Sequence, residues 1–116
     1  MRICTVNLDI WKWELALIES SDREEAMAAV AGFGIEDPII RSGNIGKTWV
    51  VDDAPAVIWL MDRKNIPVLV HEIMHAVFGM LEGRGLVHNV ESEEAFTYTA
   101  ELILTKALKD KNWRRL

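Results

Sequence analysis

Three side chains able to hold and use a metal ion fall within five positions of the chain, His71-Glu72-Ile73-Met74-His75. Successive helical residues turn by about 100°, so His71 and His75 lie only about 40° apart and both imidazoles can address one ion. Glu72 projects to their flank, where a carboxylate serves a metal's water rather than the metal itself. With Zn2+ the chemistry of this spacing is hydrolysis. The ion lowers the pKa of its water and polarises a carbonyl, while the glutamate takes the proton and can pass it to a leaving amine. The same string also arises in ordinary amphipathic helices, with its imidazoles in the core or merely exposed. The neighbouring residues favour a functional reading. Val68, Leu69, Val70, Ile73, Met74, Ala76, Val77 and Phe78 make the segment apolar on most sides. The three polar residues are therefore expected in a mostly buried setting, where they need partners and a metal is an economical one.

A catalytic zinc site usually takes three protein ligands and leaves one position for water. Candidates for the third are Glu91, Glu93, Glu94 and His88. If Tyr98 and Leu102 mark the packed face of the last helix, Glu93 projects away from it; Glu94, securely inside the helix, is favoured, with Glu91 and His88 as the other options. Glu94 follows His75 by 19 residues, enough for the chain to turn at Gly83 and Gly85 and come back. Acidic residues at a helix start are also expected on electrostatic grounds alone. Tyr98, one turn after Glu94, either donates its hydroxyl to a developing oxyanion or packs between two helices.

The elements that must position these residues are legible in outline. Positions 2–10 form a β-rich run ending near Asp9, with Trp11 and Trp13 alternating across its end. Ser20 or Ser21 caps an alanine-rich helix stopped by Gly32 and Gly34. Thr48 to Val51 reads as a short strand, Asp52-Asp53-Ala54-Pro55 as a turn, and Ala56 to Met61 as a strand central or covered on both faces. Asn65 caps the motif helix, which tolerates Pro67 in its first turn and runs to about Leu81. The last helix starts between Asn89 and Ser92 and reaches about Lys109. Strand, helix, two strands and two helices make a small α+β arrangement in one domain, 1–116.

Composition narrows the classes. Hydrophobic residues are 50% of the 116 and charged ones 27%, the balance of a folded domain. A formal charge of −5 gives no reason to expect nucleic acid. Lys106, Lys109, Lys111, Arg114 and Arg115 are explained by a basic helix end. Cys4 is alone, which excludes an intrachain disulfide and suggests a buried structural thiol. There is no signal-peptide pattern and no run of roughly 18 apolar residues, so the expected location is cytoplasmic and away from the membrane. Gly43-Asn44-Ile45-Gly46-Lys47-Thr48 imitates a phosphate loop, but Arg41 stands where its first glycine belongs and β-like sequence follows. Trp49 and Trp59 are expected to pack, and Trp113 to close the end of the core.

At His71-Glu72-Ile73-Met74-His75 the chain resembles the zincin superfamily of metallopeptidases, and Glu91-Ser92-Glu93-Glu94-Ala95-Phe96 points toward its glutamate-ligand branch. With the run Ala56-Val57-Ile58-Trp59-Leu60, the segment 46–108 looks like small zincin-like proteins of tailed bacteriophages and prophages. The resemblance implies a minimal zincin-like fold, a small mixed sheet packed against the motif helix and a long C-terminal helix. It also implies His71, His75 and Glu94 as zinc ligands, Glu72 as general base, and an edge strand able to hold an extended peptide. The substrate would be a protein or peptide, such as a phage structural or host regulatory protein. Two departures stand out: no asparagine precedes Glu94, and Tyr98 replaces an acidic residue four positions beyond it. A zinc metallopeptidase is the leading expectation, and a catalytically silent, metal-stabilised assembly or adaptor protein is the alternative. A peptide-binding module whose histidines are plain core residues is the third.

Overall fold

The computed structural model describes residues 1–9 and 11–114, so Ile10, in the first expected strand, and Arg115, in the basic cluster, lie outside the described residues. The elements are β1 (Arg2–Leu8), β2 (Trp13–Glu19), α1 (Arg23–Gly32), β3 (Gly46–Trp49), β4 (Ala56–Leu60), α2 (Ile66–Gly83) and α3 (Glu93–Lys109). Together they form a mixed α/β domain around one four-stranded sheet in the order β1-β2-β4-β3. The pairs β1/β2 and β3/β4 are antiparallel, and β2/β4 is parallel.

Strand β2 corrects the sequence reading, which left Trp13–Glu19 without an element. Trp11 sits in the turn after β1, and Trp13 opens the new strand opposite Leu8. Leu15, Ala16, Leu17 and Ile18 are all fully buried because both faces of β2 are covered. A strand covered on both faces shows no polar alternation, and leucine and alanine carry no β preference, so neither usual signal was present. Tertiary packing decides here. The turn holds Lys12 at φ 52°, a left-handed conformation that costs a residue bearing a side chain.

Alternation along the central strands divides the core in two. Ala16, Ile18, Val57 and Trp59 face α1, where Ala26, Val30, Ile35 and Ile40 cover them. Leu15, Leu17, Ile58 and Leu60 face the other way, toward Leu69 and Ile73 of α2 and Phe96 and Ile103 of α3. Each large apolar side chain so buried contributes on the order of 1.5–3 kcal/mol. Trp113 closes the α2/α3 core from the C-terminal side, and Arg63 donates to its carbonyl at 3.0 Å. Strand β4 is buried throughout, as expected of a central strand.

The helix ends follow local chemistry. Asp22, not Ser20 or Ser21, caps α1, accepting from the Glu24 and Glu25 amides at 3.0 and 3.2 Å, while the Ser20 hydroxyl donates to Glu25 at 2.9 Å. Asn65 caps α2 through the Val68 amide, with Pro67 in the first turn as expected. By length and composition alone α2 could cross a membrane. Here Leu69, Ile73, Ala76, Val77, Met80 and Leu81 of that helix are core residues.

Candidate functional site

Helix α2 lies beside the sheet edge made by β3, and two glycines allow the approach. A Cβ on Gly46 would fall 2.7 Å from Val68 Cγ1 and 3.2 Å from Glu72 Cγ; one on Gly79 would fall 2.9 Å from Val50 Cγ2. Any larger residue at either position pushes strand and helix apart. Between these contacts opens a cleft of about 630 Å³ lined by Thr48, His71, Glu72, His75 and Arg41 among others. A larger groove, about 870 Å³, runs past Trp11, Trp13, Asp53 and Arg84, but no histidine lines it.

Within the cleft the two histidines converge. His71 Nε2 and His75 Nε2 are 3.1 Å apart, with ring planes at 78°. Two donors each about 2.0–2.1 Å from one zinc ion in tetrahedral geometry stand roughly 3.3–3.4 Å apart. The observed separation is close to that value, so the pair fits a shared ion with little adjustment. One ring sharing a proton with the other also accounts for the contact.

Burial matches the sequence expectation for Glu72 and departs from it for the two histidines. The His71 side chain is 67% exposed and His75 is exposed, whereas the Glu72 side chain is 9% exposed. The histidines occupy the solvent stripe of α2 and Glu72 turns toward the sheet. Its Oε1 accepts from the Thr48 hydroxyl at 2.8 Å, and its Oε2 lies 4.0 Å from His71 Nε2. The carboxylate is thus anchored through one oxygen, with the other toward the histidine pair. An ionised carboxylate there can accept a proton from a water held near the histidines.

The expected third ligands lie elsewhere. The inward face of α3 is Phe96, Thr99, Ile103 and Ala107, and Tyr98 is 52% exposed. Tyr98 therefore does not mark the packed face or pack between the helices. With Phe96 facing inward, a turn of about 100° per residue puts Glu94 nearly opposite the core and Glu93 nearer to it, reversing the order of these two derived from Tyr98, while Glu91 lies before the helix. Glu91, Glu93 and Glu94 are all exposed, and none lines the histidine cleft. His88 is exposed too and stacks edge-on against Phe78 and Phe96, with centroids 5.2 and 4.9 Å away. Among the described residues no group of three or more histidine, cysteine, aspartate or glutamate side chains is gathered that could hold a metal.

Thr48 and the two close-packed glycines are the participants that sequence reasoning missed. A faint signal existed: Gly46 and Thr48 alternate with Lys47 and Trp49, which puts the glycine and the small threonine on one face of the strand. Cys4, by contrast, matches its expectation. It is buried, and burial together with the nearby Asp110 carboxylate pushes its thiol up to about 12, so it offers no thiolate nucleophile at neutral pH.

Compared with family models, with curated proteins and with solved structures, the chain matches none. What fold and site define together is a mixed α/β domain carrying a converging histidine pair and an anchored carboxylate on the helix beside its sheet edge.

Proposed function

We propose that this chain is a minimal zincin-like, zinc-dependent metallopeptidase. The observation that carries the reading is the arrangement of His71 Nε2 3.1 Å from His75 Nε2 with Glu72 Oε2 4.0 Å from the former. His71 and His75 would hold the ion, which would supply Lewis acidity and a water of lowered pKa. Glu72 takes a proton from the attacking water and returns it to the leaving amine nitrogen. Strand β3 is an edge strand bordering the same cleft, so an extended peptide can pair with its backbone and bring an amide to Glu72. The substrate class is a protein or peptide, and the resemblance to phage and prophage proteins makes a phage structural or host regulatory protein the first candidate.

A second reading, a metal-stabilised assembly or adaptor protein without turnover, is favoured by one specific observation. Glu94 and Tyr98, the residues expected to complete the ligand set and the oxyanion site, are exposed on α3 and do not line the cleft. Casein digestion with added zinc, together with zinc content by mass spectrometry, separates the two. A peptidase cleaves casein and loses that activity in Glu72→Gln while keeping its metal. An adaptor binds zinc and cleaves nothing, and a protein without bound zinc fits neither reading.

A further inference from the structure

Among the described residues, Thr48 is the one side chain from outside its own helix that hydrogen-bonds the proposed base. We propose that Thr48 is a positioning residue for the hydrolytic step, aiming Glu72 so that Oε2 is presented to the histidine pair. This rests on the metallopeptidase reading and adds a requirement to it.

The hydroxyl carries one hydrogen and has two acceptors in reach, Glu72 Oε1 at 2.8 Å and the Glu72 main-chain carbonyl at 3.1 Å. The shorter contact, to the carboxylate oxygen, is the closer to ideal O–H···O geometry. Glutamate has three side-chain torsions, and a carboxylate without an anchor would rotate among several orientations in an open cleft. Two features fix the anchor. Gly46 and Gly79 let α2 approach β3 and the residue after it closely on either side of Thr48. Thr48 also pairs with Ile58 of the buried strand β4, so its backbone cannot drift. The strand that borders the cleft as a peptide-pairing edge thus also orients the base, and amide and carboxylate are referenced to one backbone.

The test compares Thr48→Val, which removes the hydroxyl at nearly constant shape, with Thr48→Ser, which keeps it, using casein and zinc-loaded protein. Thr48→Val should keep its zinc content and its KM within about two-fold while kcat falls about 10–100-fold, the usual loss on removing a group that orients an active-site residue. Thr48→Ser should recover most of that kcat. In the Glu72→Gln background the valine change should cost nothing further, since Thr48 acts only through Glu72. A readout independent of turnover is a urea-denaturation cycle on the zinc-free protein over Thr48→Val, Glu72→Gln and the double variant, where the two changes should be non-additive. If Thr48→Val fails to fold, Thr48→Ala serves in the same comparisons. A wild type that cleaves casein while Thr48→Val matches it, or a serine variant no better than valine, overturns the positioning role and leaves the peptidase reading standing. A wild type that does not cleave casein, whether or not it holds zinc, overturns both.

Discussion

Two largely buried carboxylates in this protein are treated in opposite ways. Glu19, at the end of β2, is answered on both oxygens: Arg63 donates its amide at 2.7 Å and its guanidinium at 3.2 and 3.3 Å, and Arg2 stands 3.9 Å away. Among the described residues, the Glu72 carboxylate receives one hydrogen bond, from the Thr48 hydroxyl to Oε1, and Oε2 looks toward a histidine pair. Burying a carboxylate is costly unless charge and hydrogen bonds compensate it. Glu19 has that compensation and ties the sheet to the segment before α2 and, through Arg63, to Trp113. Glu72 has less compensation and stands beside two converging imidazoles, the place from which the proposed reaction would draw its base.

Substitutions sharpen that contrast. Glu72→Gln should lower proteolysis by about 10²–10⁴-fold with zinc retained, the range for loss of a general base; casein turnover with metal analysis checks it. Glu19→Ala should do the reverse, sparing zinc binding while costing about 3 kcal/mol of stability because the Arg63 guanidinium is stranded; urea denaturation measures it. If instead Glu72→Gln destabilises as much as Glu19→Ala and zinc is not bound, the two carboxylates are alike and the contrast fails. Gly79→Ala should cost about 1–3 kcal/mol by overpacking against Val50, and a thermal melt reads it. The smallest effect concerns Cys4. Its thiol stays neutral in the fold up to about 12 but ionises near 9.0 once unfolded, so stability should decline as pH climbs between those values. Cys4→Ala should remove that alkaline slope in denaturation curves compared across the range.

How far the sequence anticipated this architecture varies by element. Helix α2 was legible from Asn65, Pro67 and sustained apolar periodicity, and β4 from an unbroken apolar run. Strand β2 was hidden because Leu15 to Ile18 are buried on both faces, which erases the alternation that identifies strands. In α3 the apolar residues offer two phases, one through Tyr98 and Leu102 and another through Phe96, Thr99 and Ile103. Only packing against β1 and α2 selects the second, and the choice turns Glu94 outward. The convergence of His71 and His75 followed from helical spacing, since both lie on one element. Their exposure did not, because burial on a helix that is apolar on most sides depends on which side meets the sheet. Thr48 could be linked to Glu72 only by a fold that brings positions 24 apart into hydrogen-bond contact.

The central claim is that the two imidazoles form one metal-binding unit, and a calorimetric zinc titration of the wild type beside His71→Ala and His75→Ala tests it most directly. One zinc ion per wild-type chain is expected, with loss of that binding in either variant and the fold intact by circular dichroism. A wild type that takes up no zinc, or variants that bind it as well as the wild type, would contradict it.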